Sequence, residues 1–308
     1  MGPPLLASLG CSLLLAGAVP GNDAPPPAPP PPLTVLHLTA DLAVVAKPPS
    51  LPCHKLEVRS AGDGGRRRRT VAAGGAGGTE DPEDTVARRA RSTFPDAASI
   101  HLVHRLDKST SGCLLLAFSP AAAREAAEAL AAGTKTYYAL CRGDGKALRD
   151  RGRFVADGVV RDSRGISREA ETEVEGLWGS AGPPRRCCLV RARPRTGRWH
   201  QVRQHLGRVH HPLVGETRHH KDIKENRAWA VVLEERGIAQ RACLHCHRIE
   251  IPAMGEGGGV LAGGLDVSCP LPPDMREMVD LTDWACDARD ALPALFGAYP
   301  EISSSQGV

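Results

Sequence analysis

This sequence has few aromatic residues, and its cysteines are not regularly spaced. Only 4% of the 308 residues are aromatic, whereas 42% are apolar, so most of any core must be aliphatic. The cysteines lack the spacing of a disulfide scaffold, and in a chain of this length we expect them to be free, small core residues. We find no internal repeat. The length leaves one large domain or two ordinary ones.

Lysine and arginine are absent before Lys47, so the amino-terminal segment lacks the basic start of a typical signal peptide. The apolar run from Leu5 to Val19 is too short to span a bilayer comfortably, and Ala16-Gly17-Ala18 resembles a signal-peptide cleavage pattern. A polyproline stretch at 25–32 predicts an extended linker. Residues 1–33 are therefore predicted to be a targeting-like leader and linker, with no membrane segment in the mature protein.

Short apolar runs and capping signals divide the remaining chain. Strands are predicted over 34–38, 42–46, 114–118, 135–141, 171–177, 187–192 and 244–251. Helices are predicted over 83–92, 120–132, 198–206, 274–279 and 282–295, with Ser119 as an N-cap before Pro120. Strands outnumber helices without alternating regularly with them, which favours an α+β fold with a mostly antiparallel sheet flanked by helices.

Two segments predict no regular structure. Residues 54–79 hold a run of four arginines at 66–69 and a glycine- and alanine-rich tract, and we interpret them as a flexible insertion. Residues 143–168 are polar and contain glycine, so they are predicted to be a long irregular excursion. The domain is predicted to run from 34 to 296, with a tail over 297–308.

The window 185–218 contains nine arginines, no lysine and a single acidic residue, Glu216. A solvated basic face is the ordinary explanation of such a run. Because Trp199 and several histidines lie among the arginines, the pattern favours a surface for a polyanion, most simply a nucleic acid.

A Cys-x-x-Cys-His pattern occupies residues 243–247 and formally matches a haem-attachment site. The segment continues as an alternating apolar run that predicts a strand, and nothing else in the sequence suggests haem or zinc. We therefore predict no metal site, and keep a haem or zinc protein built on Cys243 and Cys246 as a minor alternative.

The most informative stretch is His-Leu-Val-His-Arg-Leu-Asp-Lys-Ser-Thr-Ser-Gly at 101–112, followed by the apolar run 113–118. It places Asp107, close to Arg105, on a tight loop at the mouth of a core strand, where catalytic groups are often presented. An isolated Arg-Leu-Asp would more often be a surface ion pair. Ordinary explanations also exist for Tyr137 on a strand and for Arg203 on a helix.

Taken in order, these segments resemble the pseudouridine synthases that carry His-Arg-Leu-Asp-x-x-Thr-Ser-Gly. The resemblance runs from about 36 to 275 and includes Val45-Ala46-Lys47-Pro48, the central motif, Lys135-x-Tyr137, residues 196–206, residues 211–215 and Leu244-His245. It implies the α+β catalytic fold of that family, with a central active-site cleft, and RNA as the partner. Uridine isomerisation breaks the C1′–N1 bond and forms C1′–C5 without redox change, so no cofactor is expected.

The resemblance also implies functions for individual residues. Asp107 either attacks the sugar or base, or removes the C2′ proton, and the sequence leaves both routes open. Arg203 is expected to pair with Asp107 and lower its pKa. Tyr137 would lie against the uracil ring, Leu244 would wall the base pocket, and Arg105 would fill the space left by the flipped nucleotide. Further substrate contacts are predicted for His104, Thr110, Arg198, His200 and Gln201.

The substrate and compartment follow from finer features. The stretch 203–227 resembles the bacterial branch that isomerises uridine sixty-five of transfer RNA, so transfer RNA is the expected substrate. Ribosomal RNA and a non-catalytic RNA-binding protein on this fold are the alternatives. A monomer is expected, in an organelle (plastid or mitochondrion) reached through the signal-like leader, or alternatively in the cytoplasm. The chain departs from the family pattern at Trp199, Gln204, Glu216, Cys243 and Cys246.

Overall fold

The computed structural model describes residues 30–54, 84–182, 185–220, 222–253 and 259–300. The strands within them are β1 (Thr34–Leu38), β2 (Leu42–Lys47), β3 (His101–Leu102), β4 (Ser111–Ala117), β5 (Thr134–Arg142), β6 (Phe154–Arg161), β7 (Ser167–Ser180), β8 (Cys187–Pro194), β9 (Leu244–Ile251) and β10 (Leu265–Ser268). The helices are α1 (Val86–Thr93), α2 (Pro120–Ala132), α3 (Lys146–Arg151), α4 (Gln201–Arg208), α5 (Ile223–Glu235), α6 (Pro273–Asp280), α7 (Ala285–Ala291) and α8 (Pro293–Phe296). The predictions for residues 1–29, for 55–79 and for 301–308 lie outside the described residues.

These strands form one mixed sheet in the order β1-β2-β4-β9-β5-β8-β7-β6. Short β3 pairs with the end of β4, and β10 pairs with the second half of β9. The β4–β9 pair is parallel, and the other pairs of this sheet are antiparallel. The prediction of an α+β fold with a mostly antiparallel sheet is thus confirmed.

Alternate residues of the central strands enter two hydrophobic clusters, because successive side chains of a strand point to opposite faces. On β5, Tyr137 and Ala139 belong to the first cluster, whereas Tyr138 and Leu140 belong to the second. Helices α1, α2 and α4 contribute to the first cluster, and α5 to α8 contribute to the second. The sheet is therefore covered on both faces, which explains why its central strands are almost continuously apolar.

Helix α2 begins and ends where its capping residues predict. Pro120 supplies a preset φ, and the Ser119 hydroxyl accepts a hydrogen bond from the Ala122 N–H at 3.1 Å. The predicted helix 282–295 is wrong, because Pro293 lacks an N–H and divides the segment into α7 and α8. Among the described residues, no helix has both the length and the apolar content needed to cross a membrane.

The prediction of an irregular excursion over 143–168 is also wrong. This part of the chain forms α3 and β6 and enters β7. Among the described strands β6 pairs with β7 alone, at the end of the sheet, and only Ala156 and Val160 of its eight residues are buried. A strand with so few buried side chains has no regular apolar alternation, so the sequence pattern did not indicate it. The short strands β3 and β10 were likewise not predicted.

The pairing between the central strands β4 and β9 is short. Strand β4 meets β9 at two residue pairs only, Ser111 with His245 and Gly112 with Cys246. Beyond them β4 pairs with β3 and β9 pairs with β10. The loop from β3 to β4, residues 103–110, therefore lies at the division between the two halves of the sheet.

Candidate active site

Asp107 lies on the loop 103–110, immediately before β4. The Thr110 N–H donates to the Asp107 carbonyl at 3.0 Å, which closes a tight turn. Gly112 has φ of +112°, and a Cβ there would lie 2.1 Å from the Cys246 carbonyl oxygen. Only glycine allows this close approach of β4 to β9, so the Thr-Ser-Gly end of the motif fixes where the loop ends and β4 begins.

Two buried cations hold the backbone of this loop. The Lys47 ammonium donates to the carbonyl oxygens of Lys108 at 3.1 Å and Thr110 at 2.6 Å. The Arg241 guanidinium donates to the intervening carbonyl of Ser109 at 3.0 Å, and is itself paired with Asp274. Three consecutive carbonyls therefore have cationic donors. The hydroxyls of Ser109 and Thr110 are buried, have no partner among the described residues, and remain unexplained by the structure.

Lys47 is nearly inaccessible to solvent and is the strongly perturbed cation of this region. Burial lowers its pKa from 10.5 to about 7, and the nearby charge of Arg241 acts in the same direction. Its amine donates to three backbone acceptors, since the Pro48 carbonyl at 2.9 Å joins those of Lys108 and Thr110.

The side chain of Asp107 faces Arg203 on α4. Nη1 of Arg203 lies 3.8 Å from Oδ2 of Asp107, while Nε and Nη2 make shorter bonds to Glu216, at 2.6 and 3.0 Å. Glu216 is fully buried and also accepts the backbone N–H groups of Arg218 and His219. Burial alone would raise the pKa of Glu216, but the bonds and charge of Arg203 hold it at about 2. The guanidinium is thus shared by two carboxylates, and Glu216 has the larger share.

The charge of Arg203 lowers the pKa of Asp107, as predicted, but the net shift of this pKa is upward. Burial raises the pKa of Asp107, and the opposing charges of Arg203 and Lys47 do not overcome this. Glu216 adds to the upward shift. Because Glu216 already neutralises Arg203, the cation is a distant partner for Asp107 rather than a tight one.

His200 completes the polar cluster in a strained backbone conformation. Its φ of 50° is left-handed, at the position before α4, where a non-glycine residue costs about 1 kcal/mol or more. Nε2 lies 3.2 Å from Arg203 Nη1 and 3.7 Å from Asp107 Oδ2, and Nδ1 lies 2.8 Å from His219 Nε2. Arginine can only donate, so Nε2 must accept and Nδ1 must carry the proton. Burial lowers the pKa of His200 to about 3, so the ring is neutral.

Tyr137 and Leu244 are the two residues predicted to line the base. Both are buried in the first hydrophobic cluster, on the adjacent strands β5 and β9. Burial raises the pKa of Tyr137 well above its usual range, and the Cys246 thiol and the charge of Asp107 push in the same direction. Its phenol therefore stays protonated near neutral pH.

The other predicted site residues divide into exposed and supporting positions. Arg105 and Arg198 are exposed, as substrate contacts require. The His104 ring accepts the Leu115 N–H at 3.1 Å and so holds the loop against β4. The Gln201 amide donates to the Glu171 carbonyl and Thr172 and accepts from Thr196 and the Arg198 N–H, which uses it fully in anchoring α4.

Cys243 and Cys246 lie in different hydrophobic clusters, on opposite faces of the sheet. An i, i+3 pair at the start of a strand cannot direct both thiols to one ion. Within the described part of the chain, no group of three potential ligands could hold a metal.

Several supporting residues had no predicted function. Lys47 belonged to a matching motif, and Glu216 was noted only as a departure from it. Arg241 and His219 were not singled out. A buried-strand lysine followed by two prolines was the available signal for Lys47, whereas the pairing of Glu216 with Arg203 depends on tertiary geometry.

Comparison with known proteins defines the class of this site. Residues 41–207 match the RNA pseudouridylate synthase family. The chain belongs to that family, which confirms the prediction of an RNA pseudouridine synthase, an isomerase.

Individual relatives include transfer-RNA and ribosomal-RNA enzymes of this family. The tRNA pseudouridine synthase C of Salmonella typhi is 32% identical over 186 residues, covering 54% of this chain and 68% of the relative. The Ribosomal large subunit pseudouridine synthase C of Pasteurella multocida is 31% identical over 208 residues, covering 63% of this chain and 58% of the relative. The solved structure of Human RNA Pseudouridylate Synthase Domain Containing 4 shares the fold, with a TM-score of 0.54 at 21% identity over 85% of this chain and 92% of that one.

Proposed function

We propose that this protein isomerises a uridine of transfer RNA to pseudouridine, with Asp107 as the catalytic carboxylate. The supporting observation is the placement of Asp107, whose side chain is 25% exposed and lies 3.8 Å from Arg203, which is paired with the buried Glu216. The buried Tyr137 is near enough for the charge of Asp107 to raise its pKa. The relatives named as transfer-RNA enzymes support this substrate over ribosomal RNA, although a ribosomal enzyme is also similar.

The chemistry needs an ionised carboxylate at the sugar. Asp107 either attacks C1′ as the N1 bond breaks, or removes the C2′ proton and later returns it. The detached uracil, an anion at N1, then rotates, and C5 forms the new bond to C1′ as the bond to Asp107 breaks or as the proton returns to C2′. C5 then loses its proton and N1 gains one, so the product is an isomer of the substrate. Tyr137 keeps its own proton because its pKa is raised, so it acts as a ring surface and hydrogen-bond donor rather than as the base. We assign the acceptance of the C5 proton to the regenerated Asp107 carboxylate.

Release of tritium from transfer RNA labelled at C5 of uridine tests the assignment, with Asp107→Asn as the variant. We expect the rate to fall by a factor on the order of 10² to 10⁴ or more, since the amide can neither attack nor accept a proton. Binding of the same RNA should persist. Substantial activity in Asp107→Asn would remove Asp107 from the mechanism, whereas RNA binding without any product in the wild type would favour a non-catalytic binding protein.

Mapping pseudouridine in total RNA, with and without the protein, separates the two substrate classes. A protein-dependent site in transfer RNA supports the proposal, and one confined to ribosomal RNA contradicts it.

We also propose that the mature protein acts as a monomer in an organelle with its own RNA. A fluorescent reporter carrying residues 1–50 would show the compartment, and cytoplasmic fluorescence would favour the alternative.

A further inference from the structure

A cleft of about 590 Å³ lies beside the active site, between the β6–β7 turn and helix α4. Its lining includes Arg161, Trp199, Arg208 and Arg218. Trp199 joins the cleft to the catalytic cluster, because its ring stacks on His200 at 3.7 Å, and His200 is 3.7 Å from Asp107. The catalytic assignment does not use this cleft.

The charges of the arginine-rich window are distributed unevenly. Six of its nine arginines contact carboxylates: Arg185 with Glu225, Arg186 with Asp144, Arg191 with Glu175, Arg193 with Glu173, Arg195 with Glu171 and Arg203 with Glu216. The other three, Arg198, Arg208 and Arg218, have no carboxylate partner within the described ranges. Arg208 and Arg218 both line the cleft, and Arg198 precedes Trp199 in the chain. The unneutralised positive charge of the window is thus concentrated around this cleft.

The cleft is held in shape by protein contacts. The Gln204 amide exchanges hydrogen bonds with the backbone N–H and carbonyl of Arg161, at 3.1 and 3.0 Å, and so ties the β6–β7 turn to α4. Asp162, the acidic residue of the lining, directs one carboxylate oxygen to the backbone of its own turn, at Arg164 and Ile166. Hydrogen bonds within the turn therefore partly compensate for the negative charge of Asp162 at the rim of the cleft.

Trp199 gives Arg218 a defined position. The Arg218 guanidinium lies 5.0 Å from the Trp199 ring centroid, in a cation–π arrangement. A guanidinium stacked on an aromatic ring keeps its N–H edge free, and that edge matches a phosphate.

We propose that this cleft binds the backbone phosphate of a nucleotide flanking the target uridine, through Arg208 and the Trp199-supported Arg218. The inference rests on the proposed function for the identity of the RNA. The site would hold the strand next to the flipped nucleotide, because Trp199 and His200 connect it directly to Asp107. Six arginines of the window would then stabilise the protein, and the cleft would supply phosphate recognition.

Equilibrium binding of an unmodified transfer RNA transcript, measured at several salt concentrations, tests the proposal. For Arg208→Gln and Arg218→Gln we expect Kd to rise about tenfold, as for a lost charged hydrogen bond. The slope of log Kd against log salt should fall by about 0.7–0.9 for each lost phosphate contact. Arg218→Lys keeps the charge but loses the fork and should bind between the wild type and Arg218→Gln.

Arg186→Gln is the matched control, because it removes the same charge from an exposed arginine that is paired with Asp144. It should leave the Kd within about twofold of the wild type, as expected for a surface ion pair. Equal losses in the three Gln variants, or none in Arg208→Gln and Arg218→Gln, would overturn the cleft assignment. Failure of this inference differs from failure of the proposed function. If no pseudouridine forms but Arg208→Gln and Arg218→Gln still weaken RNA binding, only the proposed function fails. If pseudouridine forms but these variants bind RNA like the wild type, only the cleft assignment fails.

Discussion

Two buried arginines approach the Asp107 loop from different sides with nearly identical forks. Arg203 bonds Glu216 through Nε at 2.6 Å and Nη2 at 3.0 Å, and Arg241 bonds Asp274 through the same atoms at 2.6 and 3.0 Å. The remaining nitrogen differs in its target. Nη1 of Arg203 faces His200 and the carboxylate of Asp107, whereas Nη1 of Arg241 donates to three backbone carbonyls, including that of Ser109.

Arg203 therefore acts on the charge of Asp107, whereas Arg241 acts on the position of its loop. On the side-chain side, a shared guanidinium sets the electrostatic environment of the reacting carboxylate. On the backbone side, Arg241 and Lys47 hold consecutive carbonyls and thereby the direction in which Asp107 points. Disruption of the backbone side should therefore reduce stability most, and changes on the side-chain side should alter the pH dependence of catalysis.

The largest effect is expected for Arg241→Gln. The change leaves Asp274 without its partner and removes the donor to three carbonyls, so the free energy of unfolding should fall by about 3–5 kcal/mol. Urea denaturation measures this. Arg89→Gln is the control, because it breaks a similar fork to Asp84 where both side chains are about one-fifth exposed, and it should cost less than about 1 kcal/mol. Equal losses in both variants would contradict a special function for Arg241.

A smaller effect should come from Lys47 through pH. The unfolded chain holds this proton up to about pH 10.5, whereas the folded protein releases it near pH 7. Between these values the unfolded state binds more protons, so stability rises with pH. From pH 7 to 9 the wild type should gain about 2 kcal/mol relative to Lys47→Met, as measured by urea denaturation.

Lys47→Arg provides the second arm of this experiment. Its guanidinium keeps the proton throughout the range, so the wild type should gain the same amount over this variant as over Lys47→Met. Parallel pH curves for the three proteins would show that Lys47 does not have a depressed pKa in the folded state.

The sequence predicted the parts of this molecule that depend on local pattern. Strands with one or both faces buried, such as β1 and β9, carry apolar periodicity, and α2 carries its own caps. The exposed β6 has neither signal and was missed. The resemblance predicted that Asp107 and Arg203 would meet, and they lie 3.8 Å apart. It could not predict the pKa direction, because that depends on burial and on the fully buried Glu216 competing for the same guanidinium.

Glu216→Gln tests that competition through the pH dependence of catalysis, where we expect the smallest change of the three predictions. Loss of the carboxylate removes a charge that raises the pKa of Asp107 and releases Arg203 toward it, so the pKa of Asp107 should fall. Catalysis needs ionised Asp107 and declines as pH drops through that pKa, so the acidic limb of kcat/KM should move to lower pH. Glu225→Gln, which removes an equal charge from the pair with Arg185, should leave the limb in place. A limb that stays fixed in Glu216→Gln, or moves equally in both variants, would mean that sharing of the guanidinium does not set the charge state of Asp107.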